Sequence, residues 1–252
     1  MIPKHLTFFL HAAVFLSAVS ASAARDAAAE AQPVLIRNVK IFDGVDDKAV
    51  EGSVLVEGKL IKKIGPGLTA PEGASVIDGG GRTLIPGLID GHTHLSLVAN
   101  PFALAYQEHW SWTGAIMALE AERMLMRGFT TVRDAGGPVY GLAKAIDQGH
   151  VPGPRVYPSG HFIGQTSGHF DFRLPNDTHH RQRNDRSFFE TDWSFIADGV
   201  AEVRAASREV LRHGATQIKL SLGGGNSTPY DPIDTTHYSH EEIRAAVEAA
   251  ED

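Results

Sequence analysis

The 252-residue sequence predicts an α/β fold. The expected architecture is a (β/α)8 barrel of the TIM type, with about the first half present, preceded by a small antiparallel β-sheet unit. Three observations carry this reading. After Pro86, strand-like and helix-like stretches alternate, a pattern that builds a parallel sheet covered by helices. The polar and histidine-bearing residues His92, His94, Asp134, His161 and Lys219 fall at the C-terminal ends of the expected strands, which form the active-site face of such a barrel. No Gly-rich dinucleotide fingerprint follows the first strand and no phosphate-binding loop motif occurs, which counts against an open doubly wound sheet.

The elements follow in order. Residues 1–23 read as a signal peptide. Lys4 and His5 make a weak basic start, an apolar run extends from Leu6 to Val19, and Ala21-Ser22-Ala23 offers a cleavage site before Ala24. The run is short of the about 20 apolar residues a spanning helix needs. The expectation is an exported protein, periplasmic or secreted, with no stable membrane span after cleavage. Residues 24–32, rich in alanine and charge, read as a flexible leader.

Residues 33–85 read as the N-terminal sheet unit. Val34-Leu35-Ile36 and Val39-Lys40-Ile41-Phe42 open it. Ser53-Val54-Leu55-Val56 and Leu60-Ile61-Lys62-Lys63-Ile64 alternate well, with Glu57-Gly58-Lys59 as the hairpin turn between them. Val76-Ile77-Asp78 and Thr83-Leu84-Ile85 add two short strands.

Residues 86–252 read as the partial barrel. Leu88-Ile89-Asp90 is its first strand. A helix spans Trp112 to Met126, its apolar residues Ile116, Leu119, Ala121 and Leu125 interleaved with charges, and Gly128 stops it. Then come a strand from Phe129 to Asp134, a helix from Tyr140 to Gln148, and a strand from Arg155 to Ser159. A long polar loop leads to a helix from about Phe195 to Arg212, and Thr216 to Leu220 is the fourth strand. Ser239 with Glu242 three residues on is a capping box opening the last helix. Four strand–helix units are present where a closed barrel has eight. The sequence stops inside a helix at Glu251-Asp252, so it reads as an N-terminal portion.

Composition bounds the chemistry. With 42% apolar and 21% charged residues, this is a folding chain. Cysteine is absent, which excludes disulfides, thiolate ligands and a cysteine nucleophile. The formal charge is −7 with no long basic run, so nucleic acid is not an expected partner.

The chemistry concentrates at His92-Thr93-His94, which closes an apolar and glycine-rich run from Thr83 to Gly91. In a strand, residues i and i+2 point the same way, so both imidazoles can face one ion. Without an ion, the pair reads as two loop histidines. Lys219 lies between Ile218 and Leu220 in a strand expected to be buried, where an unpaired ammonium is costly. A salt bridge or a solvent-reaching strand end accounts for it. So does modification: a neutral lysine amine adds carbon dioxide to give a carboxylate-like carbamate able to bridge two cations.

These pieces resemble the amidohydrolase superfamily, in the branch of Xaa-Pro dipeptidases, imidazolonepropionase-like proteins and ochratoxin-degrading amidases. The resemblance rests on Leu84-Ile85-Pro86-Gly87-Leu88-Ile89-Asp90-Gly91-His92-Thr93-His94, on Gly128-Phe129-Thr130-Thr131-Val132-Arg133-Asp134, and on Ile218-Lys219 followed by Gly223-Gly224-Gly225. It covers the chain from about Val34 onward. It implies a two-metal site, with zinc as the expected divalent metal, His92 and His94 on the more buried ion, and carbamylated Lys219 bridging both. Two further histidines and an aspartate, from later strands, complete the family pattern and lie outside this sequence. The implied reaction is attack of a metal-bound hydroxide on the carbonyl of an amide or peptide C–N bond, in a dipeptide-like or small-molecule substrate. The rivals are a lactone or ester hydrolase of the same fold and a catalytically inert fragment. A homo-oligomer is compatible with the full-length protein.

Further candidates surround this centre. His161 and His169 flank the loop Phe162 to Gly168, and the resemblance lets His169 contact the substrate carbonyl or carboxylate; a histidine of a polar loop is the bland alternative. Tyr140 and Gln165 are weaker pocket candidates. Asp134 is read either as a partner holding a ligating histidine's tautomer or as a strand-end cap, with Arg133 available to pair with it. Asp90 is read as fixing the turn that aims His92. Trp110 and Trp112 are read as pocket wall or as packing residues. His179 and His180, in the charged loop Asp177 to Arg186, receive no role.

Overall fold

The computed structural model describes residues 32–97, 108–179, 181–182, 193–226, 228 and 230–252. The expected signal peptide, most of the leader, and His180 lie outside the described residues. The chain divides into two compact units after Pro86.

In the first unit, β1 (Val34–Ile41), β2 (Val50–Glu57), β3 (Leu60–Gly65), β4 (Ser75–Asp78) and β5 (Thr83–Leu84) form one sheet of order β3-β2-β1-β4, with β5 also pairing β1. The β1–β2 and β2–β3 pairs are antiparallel, as the alternation predicts. The β1–β4 and β1–β5 pairs are parallel, so the unit is mixed rather than antiparallel throughout. The reason lies in the connections. Only β2 and β3 are joined by a tight hairpin, with Gly58 at φ 60°, whereas β4 arrives by a longer crossing segment. Val39, Ile41 and Val54 form the unit's core.

The second unit begins with β6 (Leu88–Thr93) and a 3-10 turn at Leu95–Leu97. It continues through α1 (Trp110–Met126), β7 (Phe129–Asp134), α2 (Tyr140–Asp147), β8 (Arg155–Pro158), β9 (Phe162–Gly164), β10 (Ser194–Ile196), α3 (Val200–Arg212) and α4 (His240–Glu251). The strands β6-β7-β8 form a parallel sheet, and β9 pairs β10 in parallel. Parallel neighbours joined through helices are what the strand–helix alternation predicts.

Three expectations are corrected here. Phe195 belongs to β10, not to the following helix, because the Asp198-Gly199 break, with Gly199 at φ 85°, holds the helix off until Val200. Part of the long polar loop is the strand β9. The expected strand from Thr216 to Leu220 is reduced to one parallel bridge, Ile163 to Leu220. The segment still runs alongside its neighbours: the Thr216 amide donates to Pro158 O (2.8 Å), and the Ile163 amide donates to Lys219 O (2.9 Å).

Helix α1 buries Thr113, Met117, Ala121 and Met124, a stripe at helical spacing, while Leu119 faces outward. Met117, Ala121 and Met124 pack with Val132, Val139, Leu142 and Val156 into one core. A second core joins α3 and α4 to Ile163 and Phe195 through Val203, Val210 and Ala246. The Ser239–Glu242 capping box forms, and Glu242 Oε1 also accepts from the Gly199 amide (2.6 Å), tying the starts of α4 and α3 together. The loop expected to be solvated is partly anchored: the Arg181 guanidinium bonds Glu202 (2.6 Å) and Asp198 O (2.9 Å).

Candidate active site

The end of β6 and the residues after it are held by identifiable bonds. Asp90 Oδ1 accepts from the His92 amide (3.0 Å), the role expected of it. The Arg133 Nε donates to Gly91 O (2.7 Å) instead of pairing with Asp134. Asp134, the last residue of β7, is fully buried; its Oδ2 accepts from the Leu95 amide (2.7 Å) and its Oδ1 from the Gly136 amide (3.1 Å). Asp134 is therefore a strand-end cap. Burial pushes its carboxyl up to about 7, against the pull of those two amide bonds.

The tautomer of His94 is set by a different group. His94 Nδ1 donates to the Gly136 carbonyl (3.0 Å). A carbonyl oxygen only accepts, so the proton sits on Nδ1 and Nε2 carries a lone pair. That Nε2 stands 3.3 Å from His92 Nε2. Two nitrogens bound at about 2.0–2.1 Å to a tetrahedral ion stand about 3.4 Å apart. The pair thus fits a divalent cation, with one tautomer already fixed for coordination. Gly136 sits at φ 139°, and a Cβ there would lie 2.1 Å from the Phe162 ring, so glycine is required where the carbonyl turns to His94.

Electrostatics favour neutral donors. Burial lowers the His94 pKa first; the Gly136 bond opposes this, and the charges of His92 and Lys219 add to it. Lys219 is likewise lowered, by burial first and then by Arg133. Both shifts favour the neutral form, in which an imidazole nitrogen can bind a cation and an amine can act as a nucleophile.

His92, His94, His169 and Lys219 line one cleft of about 470 Å³. Phe162, Phe170, Phe172, Trp193 and Leu97 give it an apolar wall, and Leu220 to Gly224 form a rim. Among the described residues, no group of three or more His, Cys, Asp or Glu converges on a metal position. Lys219 shares this lining with the two imidazoles.

His169 Nδ1 lies 2.7 Å from Asp231 Oδ2, and Asp231 is buried. Sequence reasoning missed Asp231, which is 62 residues away from its partner, and also missed the buried His237, whose Nδ1 lies 3.5 Å from Ser221 Oγ. No local pattern marks either one.

Three expected pocket residues are not in the cleft lining. His161 is buried and stacks on Phe195 (4.4 Å, 6°), with Tyr140 and His213 beside it, so it faces the helices. Gly160 at φ 69° turns the chain before it, and Phe162 takes the cleft side instead. Tyr140 belongs to the same cluster; its hydroxyl donates to Val210 O (3.4 Å), and burial raises its pKa to about 12. Gln165 Oε1 accepts from the Tyr238 amide (2.7 Å), holding a residue whose φ is 63°. Trp110 packs on Trp193 with ring centroids 6.4 Å apart, behind the apolar wall.

Residues 83–252 match the family model described as amidohydrolase family. Ochratoxinase of Aspergillus niger is 36% identical over 175 residues, which cover 66% of this chain and 36% of that protein. A prolidase solved with N-methylphosphonate-L-proline superposes with TM-score 0.78 at 34% identity, over 87% of this chain and 54% of the other. The A. niger ochratoxinase structure superposes with TM-score 0.72 at 28% identity, over 88% and 54%. The chain therefore spans about half the length of these solved structures, and the fold they share with it is a (β/α)8 barrel, of which it carries about half.

Proposed function

The chain belongs to the amidohydrolase superfamily, in the branch that holds ochratoxinase and prolidase, and from that premise we propose that the protein is a metal-dependent hydrolase of amide or peptide C–N bonds. Its substrates are small-molecule or dipeptide-like amides. The observation that carries this reading is the pair of imidazole nitrogens 3.3 Å apart at the cleft, with Lys219 in the same lining.

His92 and His94 would hold a divalent ion, zinc in the first instance, since imidazole suits that metal. Lys219 would add oxygen ligands as its carbamate; its depressed pKa favours the neutral amine that carbon dioxide requires. Such an ion supplies Lewis-acid chemistry, lowering the pKa of water from about 15.7 to about 7 and polarising a carbonyl. The chain's own residues do the rest. The Gly136 carbonyl keeps His94 in the binding tautomer. The apolar wall excludes water from one side of the substrate. His169 stands in the lining where it can reach the scissile group. The N-terminal signal pattern supports export.

The test is metal analysis and turnover on the intact protein expressed from its own gene. Stoichiometric zinc, together with amine release from N-acyl amino acids or Xaa-Pro dipeptides, is the expected result. Turnover of lactones or esters with no cleavage of any amide would replace this reading with the ester-hydrolase one. Absent metal and absent turnover would leave an inert protein.

A further inference from the structure

His94 is aimed through its ring, by the bond from Nδ1 to Gly136 O (3.0 Å). Among the described residues, the His92 ring meets a hydrogen-bonding atom only at His94 Nε2 (3.3 Å). The direction of His92 has to come from its backbone.

That backbone is irregular. β6 and β7 pair in parallel with Asp90 opposite Val132 and Thr93 opposite Asp134. Between those rungs β6 has two residues, Gly91 and His92, where β7 has one, Arg133. Such a β-bulge disrupts the ladder and re-aims the side chain it carries. Alternation along β7 turns Arg133 away from the buried face of Val132 and Asp134.

Two side chains take hold of the bulge. Arg133 Nε donates to Gly91 O (2.7 Å), and Asp90 Oδ1 accepts from the His92 amide (3.0 Å). Gly91 C=O and His92 N–H belong to one peptide unit, which is planar from Gly91 Cα to His92 Cα. Fixing both polar ends fixes the plane, and with it the Cα from which the His92 imidazole projects. Gly91 and His92 are exposed, so water could solvate both peptide atoms. What the two side chains add is direction.

We propose that Arg133 is a positioning residue of the metal centre. With Asp90 it clamps the Gly91–His92 peptide and so sets His92 Nε2 beside His94 Nε2. This rests on the metal-hydrolase reading above. The step it governs is binding of the ion, before any substrate arrives.

The experiment separates donor from charge, because the Arg133 guanidinium also acts on the Lys219 amine. A glutamine amide nitrogen stands the same number of bonds from Cα as arginine Nε. A methionine methyl takes that place with no proton to donate. Arg133→Gln and Arg133→Met therefore both lack the charge and differ at the donor. Zinc affinity is read by chelator competition on the intact protein expressed from its own gene, with denaturant unfolding of the zinc-free protein alongside. Arg133→Met should bind zinc about 10–100-fold more weakly than Arg133→Gln, with similar unfolding midpoints. Equal zinc affinities, or a difference confined to unfolding, would overturn the clamp and leave the hydrolase reading intact. If Arg133→Met does not fold, Asp90→Ala against Asp90→Asn repeats the comparison at the other end of the peptide, with the same two outcomes. A wild-type protein without stoichiometric zinc would remove the metal reading, and the clamp with it.

Discussion

Two histidines line the same cleft and are held in opposite ways. His94 gives its Nδ1 proton to a backbone carbonyl, Gly136 O, at 3.0 Å. His169 gives its own to a buried carboxylate, Asp231, at 2.7 Å. A carbonyl orients the ring and adds no full charge, which suits a nitrogen whose lone pair must stay available for a cation. A carboxylate orients the ring and also stabilises a positive charge on it. The lesson is that the atom opposite Nδ1 gives two identical side chains different electrostatic settings.

The largest way to break this comparison is His94→Ala. It removes the neutral donor outright. Zinc content measured by mass spectrometry should fall below stoichiometry, and amide turnover should drop by about 10³-fold or more, a loss of about 4 kcal/mol of transition-state stabilisation. Next is Gly136→Ala, which keeps His94 but drives a methyl into Phe162 and swings the carbonyl away. Zinc affinity, read by chelator competition, should weaken about 10–100-fold, the usual cost of losing a ligand's orienting partner.

A smaller effect sharpens the carbonyl side. Asp134→Asn leaves one of the Leu95 and Gly136 amides without an acceptor and should cost about 1–3 kcal/mol in denaturant unfolding. The pH dependence has a definite sign. With a folded pKa of about 7 against 3.8 unfolded, the folded metal-free protein keeps a proton that the unfolded chain has released. Stability therefore falls as pH rises from about 4 to about 7, and the variant should lose that slope in thermal melts. The smallest change is Thr228→Val, which strips from Asp231 the bond that its Oδ1 accepts from the Thr228 hydroxyl. Amide kcat should fall only a few-fold, about 1 kcal/mol, with zinc content unchanged.

The carbonyl side was the more legible one in the sequence. His92-Thr93-His94 is a contact between residues two apart, and Asp90 acts on the same turn, so alternation along a strand was enough to find them. Lys219 stood out as a charge in an apolar run. The carboxylate side was hidden because His169 and Asp231 meet only through the folding of two loops. His161 was misplaced because Gly160 takes a positive φ, which spoils any count of faces across it. The short runs Phe162–Gly164 and Ser194–Ile196 were too brief to show a period, and they become strands only because they pair with each other. The barrel alternation was visible because its helices are long enough to carry a stripe, even though the α1 stripe proved to run through Met117 and Met124 rather than Leu119.

Lys219 hangs from a single rung. Its carbonyl takes the Ile163 amide at 2.9 Å, and Ile163 O takes the Ser221 amide at 3.2 Å; beyond Leu220 the partner changes, with an antiparallel bridge from Gly223 to Thr236. The proposed carbamate would form on a side chain whose backbone sits between these two bonds. Deuterium uptake at those two amides would then report, from the backbone, whether the side chain has been capped.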